Sequence, residues 1–359
     1  MSAIKSADHP LILDNTAPLA GDIFDGPLFK HDLVYTKDSN KICANWVDFY
    51  DPESGISYFS LFVRASENDA YLTNGTDFDH RTHEACVDLV DNTLQHGKHY
   101  YVELWAFNAG HKQMNTSGRS NGVTVDLTVP LKGDIIDGLK DNFVDIEYSA
   151  ATATIATQWR GHSDPESNIR SYEVQILRAK DKTNLFEILR DWHEMDNSTE
   201  SVEWHNFNLQ HRDNIKTKLR TTNGALGQIV EETDGYILDL TPPELVYQND
   251  GGIQQTDIDY QSDGTRVLSN FKYVDEESGI DHYKYQIIKL QQGSKHQIIP
   301  ATAGEWIDIN DGTAQSVSVE NLVLDNGARY ITRIAAVNGA NAVATYDTDG
   351  FLLDNTPPK

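Results

Sequence analysis

Apolar side chains in this chain recur at every second position in short runs, and hardly anywhere at the three-to-four spacing of a helix. Ile42, Ala44 and Trp46 form one run, and Ile155, Thr157 and Trp159 another; a period of two marks a strand with one buried face. A tight-turn signal follows each run: Asp51-Pro52-Glu53-Ser54-Gly55, Asp164-Pro165-Glu166-Ser167-Asn168, and later Asp275-Glu276-Glu277-Ser278-Gly279. Aspartate opens such a turn, proline presets its second position, and glycine or asparagine takes a left-handed one. The next strands alternate as Phe59, Leu61, Val63, as Tyr172, Val174, Ile176, and as Tyr283, Tyr285, Ile287. Val87 with Leu89, and Val317 with Val319, predict further half-buried strands. Only 184–192 carries a moderate helical pattern, so the predicted class is all-β.

A proline-ended mark punctuates these strands four times, with its aspartate at Asp14, Asp126, Asp239 and Asp354. The steps of 112, 113 and 115 residues indicate an array of like units. The expected division is a lead-in over 1–13, repeats over 14–125, 126–238 and 239–353, and the start of another linker over 354–359. Residues Gly21 to Gly26 and Gly133 to Gly138 read as repeated turn chemistry, more loosely matched by Asn249-Asp250-Gly251. Each unit also pairs an aspartate with a tyrosine three residues on: Asp32 with Tyr35, Asp145 with Tyr148, Asp257 with Tyr260. A large aromatic recurs at Phe78, Trp192 and Trp306 as core or edge packing. In the third unit Asn270 is assigned the tryptophan position, with Phe271 beside it.

A length of 359 residues suits three units, each large enough to bury its own core. With 55 acidic against 29 basic residues the net charge is -26, which argues against nucleic acid or an anionic membrane as partner. No apolar run approaches the length of a membrane helix, and Met1 to Ser6 lacks the apolar centre of a secretory signal. The chain begins just before one mark and stops inside another, as a segment of a longer array does. Two cysteines, Cys43 and Cys86, exclude a disulfide-framework domain. Sequons at Asn74, Asn115 and Asn197 are no more than chance supplies in such a chain.

The closing strands carry the most specific signal. Leu94 precedes Tyr100, Val102, Leu104, Ala106 and Asn108, and Leu324 precedes Tyr330, Thr332, Ile334, Ala336 and Asn338. This pattern resembles the tyrosine corner and F strand of fibronectin type III domains, whose buried tyrosine bonds back to the backbone. Trp46 and Trp159 fall where that family places its strand B tryptophan, and 110–120 resembles its F-G loop and G strand. Unit two has Ile215 for the tyrosine and Thr221 for the alanine, so its corner is expected to be held by apolar contact. The resemblance implies three tandem seven-stranded Greek-key β-sandwiches. The linkers and turns are similar to those of tandem fibronectin-III-like or Ig-like repeats in large extracellular and adhesive proteins, where junction aspartates often bind calcium.

In such a sandwich the chain enters at the end that carries the B-C and F-G loops. Asp14 is then expected near Asp51 and Glu53, Asp126 near Asp164 and Glu166, and Asp239 near Asp275 and Glu277. Crowded carboxylates repel unless a cation or a proton intervenes, and calcium takes six to eight hard oxygens. Asn108, Asn223 and Asn338 are further oxygen donors. The same aspartates equally read as turn caps that need no metal. Cys43 and Cys86 fall on neighbouring strands with both side chains outward, either bridged or as two free thiols.

Other chemistry finds little support. His80-Arg81-Thr82-His83-Glu84 is not a zinc-protease motif, and no nucleophile elbow, phosphate loop or dinucleotide fingerprint is present. Lys132-Gly133-Asp134 resembles an integrin-binding tripeptide, but Gly21-Asp22 repeats its turn in unit one. The expected function is a non-catalytic structural or adhesive spacer of a larger extracellular or cell-surface protein. Its expected partners are neighbouring domains of the array and other extracellular proteins or glycans, with no membrane insertion. The rival reading is a receptor-like ectodomain, for which Trp192, Trp204, His193, His205 and His211 of unit two are the place to look. A third is an accessory region of an enzyme.

Overall fold

The computed structural model describes residues 13–65, 70–90, 93–110, 115–138, 143–180, 185–290, 296–299 and 306–358. The lead-in assigned to 1–13 lies outside them except for Leu13, as do Asn184 of the helical candidate, residues 111–114 of the F-G region and Lys359. Among the described residues every regular element is a strand. In unit one these are β1 (Asp22–Asp25), β2 (Tyr35–Thr36), β3 (Lys41–Val47), β4 (Ile56–Arg64), β5 (Thr76–Asp79), β6 (Glu84–Asp88), β7 (His99–Asn108), β8 (Asn115–Arg119) and β9 (Val123–Val125).

One sheet has the order β1-β3-β6, and the other β2-β9-β7-β4-β5 with β8 also on β7. Consecutive strands β3 and β4 therefore lie in different sheets, as do β6 and β7, which makes the unit a Greek-key sandwich. The first strand begins in one sheet and crosses to the other, where β2 runs parallel to β9. Units two and three repeat this order. Their smaller sheets are Asp134–Asp137, Ile155–Arg160, Ser201–Trp204 and Glu244–Asp250, Val267–Val274, Ser316–Val319.

The alternation read from sequence packs as expected. Ile42, Ala44 and Trp46 are all buried, and so are Phe59, Leu61 and Val63 on the facing sheet. Trp46 meets Phe59 edge-on at 5.4 Å, Trp159 meets Tyr172 at 5.5 Å, and Phe271 meets Tyr283 at 4.8 Å. Such pairs add to the stabilisation from burial alone. Phe78, Trp192 and Trp306 all fall on or beside the outer strand paired with Ile56–Arg64, Ile169–Ala179 or Ile280–Leu290. Phe78 packs toward Trp46 at 6.3 Å, whereas Trp192 lies under the Arg220 guanidinium at 4.0 Å.

Besides the stretches Gly21 to Gly26 and Gly133 to Gly138, read as turns but holding the strands Asp22–Asp25 and Asp134–Asp137, three expectations change. The helical candidate is instead the strand Phe186–Asp196, paired with Ile169–Ala179, since pairing and packing outweigh local preference. In unit three Phe271, not Asn270, takes the tryptophan position. Gln248 pairs with Phe271 and Asp250 with Ser269, as Ile23 pairs with Trp46 and Asp25 with Ala44. Asn270 instead matches Asn45, and each donates its side-chain N–H to a backbone carbonyl at 3.0 Å, of Gly251 and Gly26. A one-residue slip exchanges the faces of a strand, which is why the sequence alone misplaced it.

The third change is at the corner of unit two. In units one and three the backbone N–H of Gln95 and Asp325 donates to the Tyr100 and Tyr330 hydroxyls, at 2.9 and 2.7 Å. In unit two Ile215 is fully buried beside its register partner Tyr236. The matching N–H of Gln210 is taken at 2.8 Å by Oδ2 of the buried Asp213. An orphaned N–H there is costly, so where the tyrosine is absent another side chain accepts it.

Cys43 and Cys86 are register partners on β3 and β6 and form a disulfide. Gly133, of the Lys-Gly-Asp tripeptide, lies where a Cβ would sit 2.1 Å from the Arg160 carbonyl oxygen, and Asp134 pairs with Arg160 at 3.4 Å. Because the obstructing atom is backbone, Gly133→Ala is expected to lose about 1–3 kcal/mol. A calorimetric melt that leaves the unit-two transition in place would refute this close approach.

Candidate functional site

The nine junction carboxylates do meet in space, and a hydrogen-bonded knot surrounds each set. At the second junction Asp126 Oδ1 accepts the Thr128 backbone N–H at 2.9 Å and its hydroxyl at 2.8 Å. Asp126 Oδ2 accepts the Ser167 hydroxyl at 2.6 Å and the Asn223 amide at 2.9 Å. That same Nδ2 donates to Asp164 Oδ2 at 2.9 Å and to the Thr128 carbonyl at 3.1 Å. Asp164 Oδ1 accepts the N–H groups of Glu166 and Ser167 at 3.2 and 2.8 Å. The linker Asp-x-Thr, the turn serine and the asparagine ending the F strand are thus one unit of structure drawn from three places in the chain.

The other junctions repeat it. Asn338 Nδ2 bridges Asp239 Oδ2 at 2.8 Å and Asp275 Oδ2 at 3.0 Å, while Ser278 donates to Asp239 at 2.6 Å. Asn108 Nδ2 bridges Asp14 at 2.8 Å and Asp51 at 3.2 Å, Ser54 donates to Asp14, and Thr16 donates to Glu53 at 2.8 Å. Burial by itself raises a carboxyl's pKa. The donors overcome it, holding Asp51, Asp126 and Asp239 below the ordinary aspartate value.

At the second and third junctions the asparagine turns its N–H groups, not its oxygen, toward the paired aspartates. The Asn223 amide is oriented by its oxygen, which accepts the Gly227 N–H at 2.6 Å, and Asn338 Oδ1 accepts from Ala340 and Ala342 at 3.1 and 2.7 Å. Nδ2 must therefore face the carboxylates, and an amide N–H donor cannot ligate a cation. Both oxygens of Asp126 already take two bonds. The uncharged amide stabilises both carboxylates by donating a hydrogen bond to each.

A histidine from the preceding unit completes each internal junction. The Leu127 N–H donates to His96 Nδ1 at 3.2 Å, and His96 Nε2 lies 3.4 Å from Glu166. Likewise the Leu240 N–H donates to His211 Nδ1 at 3.2 Å, with Nε2 3.7 Å from Glu277. An Nδ1 that accepts leaves the proton on Nε2, directed at the glutamate of the next unit. At the last mark Asn326 plays the same part, its oxygen accepting the Asn355 N–H at 3.0 Å. Sequence reading missed His96 and Asn326 and gave His211 a different role, although all three stand four positions before the corner residues Tyr100, Ile215 and Tyr330.

Two further contacts link the units. A Cβ on Gly224 would lie 2.8 Å from the Tyr35 ring, and one on Gly339 3.1 Å from the Tyr148 ring. The tyrosines of units one and two thus lie on the F-G turn of the unit after them. At the third junction Arg212 adds a bond to Glu277 at 2.6 Å; unit one has Gly97 in its place. The rival aromatic cluster of unit two is engaged internally. Arg190 covers Trp204 at 4.9 Å, and His193 meets Trp204 at 6.1 Å.

No protein-family model and no curated protein matches the chain. Among solved structures it is similar to the FN1-FN3 domains of chicken CNTN1, at 14% identity over 90% of this chain and 99% of that one, TM-score 0.31. It is similar also to fibronectin(III)-like modules of Clostridium thermocellum CbhA, at 9% over 62% and 94%, TM-score 0.34. A tetra-tandem repeat in the extending region of a large adhesion protein aligns at 11% over 94% and 75%, TM-score 0.28. The assignment itself rests on strand order and on the tyrosine corners of units one and three. The chain is a tandem array of three fibronectin type III-like β-sandwiches.

Proposed function

We propose that this array, with units at 14–125, 126–238 and 239–353, is a spacer within a larger extracellular or cell-surface protein. It holds flanking parts at a set separation and orientation. The observation that carries this reading is the junction built twice over: histidine of one unit, linker N–H, and glutamate of the next, backed by a tyrosine on the following F-G turn. Two flexible beads need no such repeated contacts; a stiff rod does. The outward disulfide suits an oxidising compartment. Ligands of the larger protein, whether extracellular proteins or glycans, would then be met by surfaces that the rod presents. The triplicated carboxylates act here as hydrogen-bond acceptors, with no catalytic part.

Small-angle scattering tests this. The intact chain should be extended with a narrow distribution of lengths. His96→Ala with His211→Ala should broaden that distribution and lower the maximum dimension while each unit melts as before. A compact native chain, or a double variant with an unchanged profile, would overturn the spacer reading.

A further inference from the structure

Each unit carries a second carboxylate group, at mid-edge, where the first strand changes sheet and the last strand breaks. In unit two it comprises Asp137 at the end of the strand Asp134–Asp137, Asp145 in the crossover, and Asp234 between Gln228–Glu232 and Tyr236–Leu238. One oxygen of each lies within 4.8 Å of the others. Asp137 is 0% exposed, and neither of its oxygens has a well-formed hydrogen bond, although Thr233 and Gly235 approach it. A buried carboxylate whose nearby donors close no well-formed hydrogen bond, facing two more carboxylates, is a costly arrangement.

The other units show how the strain is relieved within the protein. In unit three Asp250 is satisfied by the Thr348 hydroxyl at 2.8 Å and the Gly350 N–H at 2.9 Å. In unit one the third acid is replaced by Asn121, whose amide donates to Asp32 at 2.8 Å, and the Gly122 N–H donates to Asp25 at 2.8 Å. Among the described residues, unit two alone combines three acids with a buried carboxylate that has no well-formed hydrogen bond on either oxygen.

We propose that Asp137, Asp145 and Asp234 form a calcium site in unit two. Three carboxylates with no nitrogen or sulfur ligand suit a hard cation, and calcium tolerates an irregular shell completed by carbonyls or water. The ion would join the first strand, the crossover and the last strand, closing the edge where both sheets are interrupted.

The test is calorimetric titration of the metal-free full chain with calcium at pH 7.5, alongside thermal melts. The wild type should bind calcium, and the unit-two transition should rise. Asp234→Asn reproduces the asparagine of unit one at an exposed position; it should lower the stoichiometry by one, or the affinity at least tenfold. Asp22→Asn removes the same charge from an exposed strand of unit one and should leave binding unchanged. The site is refuted if the wild type shows neither heat nor a melting shift at millimolar calcium, if Asp234→Asn binds as the wild type does, or if Asp22→Asn loses as much.

Discussion

Replacing Asn223 with aspartate costs unit two about 3–5 kcal/mol at neutral pH, because it sets a third carboxylate against Asp126 and Asp164 with no donor between them. The native amide reaches both at 2.9 Å from a position 97 residues beyond Asp126. Asn223→Leu removes the donor without adding charge and is expected to cost less, about 1–3 kcal/mol for two acceptors left short of a partner. The aspartate variant should recover part of its loss below about pH 4, where carboxylates protonate. Differential scanning calorimetry of the three proteins in chelator decides it. Equal transitions for Asn223→Asp and wild type would mean that the amide is not what holds the knot.

The metal-free chain should lose stability as pH rises from about 4 to 7. Burial pushes the carboxyl of Asp25 up to about 6 and those of Asp137 and Asp250 up to about 7 from an ordinary 3.8. Between those values the folded state holds protons that the unfolded state has released. The slope of stability against pH is then negative, about 1.4 kcal/mol per pH unit for each group while it titrates. Asp51, Asp126 and Asp239 have lowered values and act oppositely; their contribution is lost only as pH falls below 3.8. Maximum stability is therefore expected near pH 4–5. Asp137→Asn should flatten the slope of unit two and leave that of unit three. Melting temperatures from pH 4.5 to 7.5 check this, and a unit-two transition that stays level in the wild type contradicts it.

Periodicity carried the fold. Alternation at Ile42, Ala44 and Trp46 and the corner signature at Tyr100 and Tyr330 are local patterns, so three repeats of strand and turn could be read without any long-range contact. Asn270 and Phe271 show the limit: neighbours in sequence lie on opposite faces, and only pairing with Gln248 and Asn249 fixes which faces inward. Asp213 at the unit-two corner was equally hidden, because a buried N–H selects any acceptor within reach.

The junctions divide in the same way. The chain itself determined that Asp126, Asp164 and Glu166 would gather at one end of a sandwich, since Greek-key connectivity brings the linker beside the B-C turn. It could not determine which donors those carboxylates meet. An asparagine side chain offers an oxygen or an N–H pair, and the choice depends on which backbone donors meet it, here Gly227 on one side and two carboxylates on the other. His96 and His211 were visible as residues but not as contacts, because their partners belong to the next unit. The sequence determined three sandwiches and the meeting of carboxylates between them; only the tertiary structure decided that the meeting is closed by an amide, because hydrogen-bond direction is set by all the neighbours of a group at once.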